Sequence, residues 1–156
     1  MTRVKKLPEG TFLRIPLSDG SYAYGRVLDY AVVAFYNYRT TEPASDLDEI
    51  ASKSVLLRLS VRLPLPDEWK VVGRRDLEGE VAEPVVEFRQ DVADFTKCII
   101  FDSAGMKRQA RPEECMGIER AAVWDAPHVE ERLLDKFMGR PNATEERLRV
   151  RFSDDD

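Results

Sequence analysis

Between positions 114 and 124 the chain reads Glu114-Cys115-Met116-Gly117-Ile118-Glu119-Arg120-Ala121-Ala122-Val123-Trp124, a largely apolar run interrupted by an adjacent acid and base. An ionised group taken out of water without a partner loses several kcal/mol. Glu119 and Arg120 must therefore each reach solvent or an opposite charge. Two roles meet that demand: a structural ion pair bracing the junction of a sheet with the C-terminal helix, or a charge reserved for a partner or a reaction. Glu114 and Glu119 also have the types needed for general acid and base. Charged residues make up 34% of the chain, however, so closeness in sequence carries little weight. His128 is the only histidine. That count excludes a two-histidine zinc site, a histidine-built binuclear hydrolase and an HExxH protease. A nucleophile paired with His128, either Cys115 or a serine, stays open by count alone. An expected helix start at His128 disfavours the imidazolium, and a surface or capping role is the plainer reading. Cys98 and Cys115 allow at most one disulfide and form no metal-ligand spacing. Free buried thiols of a reducing compartment are expected. No P-loop, dinucleotide fingerprint or nucleophile elbow occurs, so no catalytic residue, metal or cofactor is assigned.

Recognition is the other chemistry on offer. In a strand from Tyr22, the side chains of Tyr22, Tyr24, Arg26 and Leu28 share one face, opposite Ala23, Gly25 and Val27. The small face invites close approach of another layer. Tyrosine and arginine give large contact area at small entropic loss, which is why they are enriched at interface hot spots. Tyr22, Tyr24, Tyr36, Tyr38, Arg39 and Trp69 are the expected anchors, with cross-strand aromatic packing as the plain alternative. Interleaved aromatics and arginines also occur in nucleic-acid-binding sheets. Here 24 basic and 29 acidic residues leave a net charge of -5, and the acidic excess lies after Gly79. Such a surface repels a phosphate backbone and suits a basic protein partner.

The elements that must position these groups follow from periodicity. A chain of 156 residues fits one domain, with an ordered core over about 10–152. Apolar alternation from Thr11 to Leu17 predicts a strand, with Leu13, Ile15 and Leu17 on one side and Phe12 and Arg14 on the other. Asp19-Gly20 predicts a tight turn, followed by strands over 22–29 and 32–38. A short helix over 46–51 is capped by Ser45 or Asp46. Val55 to Leu63 alternates most clearly and is expected to be central, ended by Pro64 and Pro66. Further strands are read over 69–73, 85–90 and 95–102, the last buried on both faces, and a basic edge strand over 106–111. Pro112 opens a helical turn, and Ile118 to Trp124 is read as one strand. A helix over 126–138 is capped by Asp125 and buries Val129, Leu133 and Phe137, with Glu131, Arg132, Asp135 and Lys136 in solvent. Arg147 to Phe152 alternates as a last strand before an acidic end over 153–156. Arg3, Lys5 and Lys6 precede no apolar stretch, and the greasy run over 27–38 is too short to span a membrane, so a soluble cytoplasmic protein is expected.

Three groups of residues carry a family resemblance. The run Glu114 to Trp124 with His128-Val129-Glu130 and Arg132-Leu133 is similar to the signature of the immunity protein 26 family of bacterial polymorphic-toxin systems. Gly10-Thr11-Phe12, Arg14 to Leu17, Asp19-Gly20 and Tyr22 to Leu28 resemble its opening strands, and Trp69 to Gly73 its central strand. The resemblance runs in order from about Gly10 to Pro141 and makes Glu114, Glu119, Arg120, Trp124 and His128 structural motif positions. What it implies is an antitoxin that binds and occludes a cognate toxin, covering roughly 800 Å² per partner. No cofactor, membrane or nucleic acid is implied, and oligomeric state stays open. The expected fold is α+β: a strongly bent, mainly antiparallel sheet, with an SH3-like barrel in its first half as one form of it, and the C-terminal helix packed on it. A small hydrolase of phosphotriesterase type and a nucleic-acid-binding barrel are the alternatives.

Overall fold

The computed structural model describes residues 6–153, so Arg3, Lys5 and positions 154–156 of the acidic end lie outside the described residues. Two compact units are formed, the first from the chain up to Glu83 together with Val123–Asn142, the second from Pro84–Ala122 together with the chain from Ala143. Strands and helices coexist in both, and the fold is α+β.

In the first unit, strands β1 (Thr11–Pro16), β2 (Tyr22–Asp29), β3 (Val32–Thr40) and β4 (Val55–Val61) pair antiparallel in succession, as their alternation predicts. The Asp19-Gly20 turn joins β1 to β2, and Gly20 sits at φ +86°, a conformation glycine adopts without a Cβ clash. Helix α1 (Leu47–Ala51) is capped by the Asp46 carboxylate, which accepts from the Asp48 and Glu49 N–H groups. Strand β5 (Lys70–Arg74) returns to pair with β1. With β10 (Val123–Trp124) the sheet order is β10-β4-β3-β2-β1-β5. The sheet stays open between those two edges, which corrects the SH3-like barrel. Strand β4 is not central, since only the two-residue, parallel β10 lies beyond it.

Burial goes further than a half-wet strand requires. Phe12, Leu13 and Ile15 are all fully buried, so both faces of β1 are covered and its alternation marks no solvent face. At Gly25 an added Cβ would lie 3.0 Å from Val33 and 3.3 Å from Phe35, the close approach expected of the small face. Helix α2 (Ala126–Phe137) buries Val129, Leu133 and Leu134, whereas Phe137 is only half-buried. Arg132, expected in solvent, is buried with its guanidinium 4.9 Å over the Trp124 ring. A cation on an aromatic face tolerates burial that an unpartnered one does not. Asp135 is not free in solvent either, because it accepts from Asn142 at 2.9 Å and pairs with Arg140 at 3.2 Å. Asp125 stands at the N-cap without a capping hydrogen bond; its carboxylate instead meets Arg62 at 2.6 Å.

The second unit carries a four-stranded sheet ordered β8-β7-β6-β9, from β6 (Val86–Gln90), β7 (Cys98–Asp102), β8 (Lys107–Ala110) and β9 (Glu119–Arg120). Its core is small: Phe88, Cys98, Ile100, Ala110 and Cys115, with Ile118 and Val150 against them. Strand β7 starts later than expected, because the Asp91 and Asp94 carboxylates draw the N–H groups of Ala93, Asp94 and Thr96 into turns. Burial on both faces is also corrected, since Ile99 and Phe101 are only half-buried.

The predicted 118–124 strand divides. Glu119–Arg120 pairs parallel with β6, and Val123–Trp124 pairs parallel with β4 in the other sheet. Arg147 and Leu148, the first residues of the expected last strand, instead close helix α3 (Ala143–Leu148), consistent with Ala, Glu, Arg and Leu as helix formers and acids in its first turn. Among the described residues, no helix is long and apolar enough to cross a membrane.

Candidate functional site

The aromatic face of β2 and β3 is built as a gradient from buried to exposed. At its inner end Arg26 is 3% exposed, with its guanidinium 4.4 Å over Phe12 and its Nη2 donating to the Arg75 and Asp76 carbonyls at 3.0 and 2.9 Å. Tyr36 lies nearly parallel to Phe12 with ring centroids 6.3 Å apart, and its hydroxyl accepts weakly from Arg26 at 3.4 Å. Next comes Tyr24, fully buried, its hydroxyl sharing a hydrogen bond with Thr40 Oγ1 at 2.6 Å and accepting from the Ala44 N–H at 2.8 Å. These contacts satisfy both the ring and the hydroxyl inside the protein.

At the outer end the rings reach solvent. Tyr38 packs on Tyr24 with centroids 5.1 Å apart and carries Lys53 4.8 Å above its ring. Burial, helped by a hydrogen bond to Glu49, pushes the Tyr38 phenol above its ordinary pKa. Tyr22 is half-buried under the Arg14 guanidinium at 5.8 Å. Arg39 pairs across the sheet with Ala23, on the opposite face, where it donates to Ser21 Oγ at 3.0 Å and meets Asp19 at 2.7 Å. Hydrogen bonds from Ser21 and Arg39 hold the Asp19 carboxyl well below the usual carboxylate range.

Three of the six expected anchors are therefore corrected. Tyr24, Tyr36 and Trp69 are buried, and Trp69 spends its ring edge-on against Phe35 at 6.0 Å and its indole N–H on Glu130 at 3.3 Å. Side chains already packed and bonded on all sides offer no area to a partner. Tyr22 and Tyr38 remain together on one accessible face, and Arg39 on the other. Sequence reasoning missed Arg14 and Lys53, which cap the two accessible rings. The hairpin register contains the first signal, since Arg14 pairs with Tyr24 and is thus the diagonal neighbour of Tyr22. Lys53 follows α1, and no local pattern links it to Tyr38.

The five motif positions divide between the units, Glu114, Glu119 and Arg120 in the second and Trp124 and His128 in the first. Glu114 accepts from the Arg111 N–H at 2.7 Å and from Arg108 at 2.8 Å, closing the turn over Pro112–Cys115, and these donors lower its pKa. Glu119 and Arg120 do not pair with each other, because neighbours along a strand point to opposite faces. Arg120 stacks 4.9 Å over Phe88 and donates to the Leu148 carbonyl at 3.0 Å, the Arg149 carbonyl at 3.2 Å and Gln90 Oε1 at 3.0 Å. Its partners are neutral oxygens rather than the carboxylate expected of an ion pair. Glu119 lies beside Glu87, whose pKa is raised by burial first and by the Glu119 charge second. Trp124 is buried, and His128 is exposed on α2. Both thiols are buried and free, and burial together with nearby Cys98 pushes Cys115 up to about 11, far from a nucleophile's range. Among the described residues, no group of three or more His, Cys, Asp or Glu side chains is placed to hold a metal ion.

Comparison with protein families matches residues 8–99 to Immunity protein 26. The matched segment takes in β1 to β6 and the start of β7, and ends before Glu114. No curated protein and no solved structure matches the chain.

Proposed function

The chain belongs to the immunity protein 26 family, and from that premise we propose that it binds and neutralises a cognate toxin in the cytoplasm of the producing cell. It acts by covering the toxin rather than by transforming a substrate. The observation that carries this reading is the family match, which spans the whole aromatic face together with the strands that hold it. A rigid sheet whose inner aromatics are locked by packing presents Tyr22 and Tyr38 in fixed positions, each with a cation over its ring. Preformed amphipathic area of this kind loses little entropy on binding. Arg39, fixed by Asp19 and Ser21 on the other face, is a separate contact.

The test is co-expression with the toxin domain encoded next to this chain. The unaltered protein protects the cells and co-purifies with the toxin. Replacing Tyr22 and Tyr38 together by alanine weakens the complex at least tenfold, about 1.4 kcal/mol, with an unchanged circular dichroism spectrum. Unchanged affinity in a folded double variant removes this face as the contact.

A further inference from the structure

Where β5 pairs with β1, Lys70 stands directly opposite Arg14. Side chains facing each other across antiparallel strands share a face, with Cβ atoms about 5 Å apart, and like charges set this way destabilise the pair. Neither cation is relieved from within the chain. The Arg14 guanidinium lies 5.8 Å over the Tyr22 ring and donates to the Ala44 carbonyl at 3.4 Å, a neutral and distant acceptor. Lys70 is exposed, and among the described residues no carboxylate forms an ion pair with it or with Arg14.

The acids of the neighbouring segments are engaged elsewhere or held apart. Asp46 caps α1, Asp48 meets Arg75, and Glu49 bonds the Tyr38 phenol. Glu68, just before β5, acts on Glu130, whose pKa is raised first by burial and further by the Glu68 charge. Glu42 and Asp67 are exposed and pair with neither cation. Other arginines of this unit are matched, Arg58 with Glu80 at 3.7 Å and Arg74 with Asp76 at 3.1 Å. Tyr22, Arg14 and Lys70 thus run across three adjacent strands as an accessible ring and two cations with no carboxylate in contact.

We propose that this corner receives an acidic side chain of the toxin, its carboxylate seated between the Arg14 guanidinium and the Lys70 ammonium and its stem against the Tyr22 ring. A carboxylate there turns a repulsive pair into a bridged one, and the planar donors of Arg14 suit both of its oxygens. A nucleic-acid phosphate offers the same two cations a similar charge, but the net charge of -5 repels a phosphate backbone, whereas one side chain at contact feels mainly the local field. This rests on the toxin-binding reading above and adds to it the chemistry of the partner at that face.

The experiment joins calorimetric titration of the full chain with the toxin domain to urea denaturation of the free chain, for the unaltered protein, Lys70→Glu and Arg14→Gln. Lys70→Glu sets opposite charges across the two strands, so the free chain unfolds at higher urea while its affinity for the toxin falls at least about tenfold. Arg14→Gln weakens the complex by a similar factor with an unchanged circular dichroism spectrum. Undiminished affinity in either folded variant overturns the proposal while leaving the immunity reading intact. A lower urea midpoint for Lys70→Glu also overturns it, because Lys70 then serves the fold. A single-stranded oligonucleotide is the third titrant; binding that Lys70→Glu abolishes assigns the corner to phosphate and overturns the carboxylate. Failure of the toxin to bind the unaltered chain overturns the immunity reading and, with it, the toxin as occupant of this corner.

Discussion

The two units of this molecule keep their shape by different means. In the first, large side chains do the work: Phe12, Tyr24, Phe35, Tyr36 and Trp69 are buried, and even the hydroxyl of Tyr24 is consumed internally. In the second, one fully buried aromatic ring, Phe88, sits in a core otherwise made of small or aliphatic residues and two thiols. Polar side chains supply what bulk does not. Gln90 donates to the Phe95 and Arg151 carbonyls and accepts from the Arg151 N–H, and Arg120 gathers the Leu148 and Arg149 carbonyls. The difference teaches that the segment after α3 is held by directional bonds to two side chains, while the meander is held by apolar area. A thick core suits a fixed recognition face.

Truncating the one large ring of the thin core is the strongest way to break this contrast. Phe88→Ala is expected to cost ~3–5 kcal/mol and to expose the amides of β6 to β8 to hydrogen exchange while those of β1 to β4 stay protected. Equal loss of protection in both sheets contradicts separate stabilisation. A smaller effect is expected from Arg120→Met, which keeps an apolar side chain against Phe88 but removes the guanidinium and leaves the Leu148 and Arg149 carbonyls without their donor. About 2–3 kcal/mol is lost, and limited proteolysis then cuts first in residues 143–153. The smallest effect is a gain. Glu87 keeps its proton more firmly in the folded protein than in the unfolded chain, through burial and the neighbouring Glu119 charge. Folding is therefore favoured at low pH, and that advantage is lost as pH rises past the ordinary glutamate value of 4.5 through the raised folded one. Glu87→Gln abolishes this slope and stabilises the protein at neutral pH by roughly 0.5 kcal/mol after allowance for solvent screening. Urea denaturation across that pH window measures it.

The same contrast governs what the sequence made legible. The meander β1 to β4, the Asp19-Gly20 turn and the Asp46 cap were readable because consecutive antiparallel strands and local caps leave their pattern in neighbouring residues. The run from Ile118 to Trp124 was not, because parallel pairing with β6 and then with β4 depends on residues 32 or more positions away. Its apolar character says only that both halves are covered. Leu148, Val150 and Phe152 alternate like a strand, yet the two acids and the arginine before Val150 favour the helical turn that forms. Arg132 reads as a solvent residue by helical spacing, and only the position of Trp124 explains its burial. At the recognition face, residue type pointed to the right strands but not to depth. Tyr22 and Tyr24 are equivalent in pattern, and the difference between a half-exposed ring and a buried one lies in the loop that delivers Ala44 to the Tyr24 hydroxyl.

Calorimetric titration of the purified chain with the purified toxin domain encoded beside it bears most directly on the central claim. Saturable binding with a dissociation constant in the micromolar range or tighter, a heat signal reduced at least tenfold in affinity by the Tyr22 and Tyr38 double replacement, and parallel loss of toxin activity are expected. No detectable heat, with toxin activity undiminished at a large excess of this chain, contradicts the account.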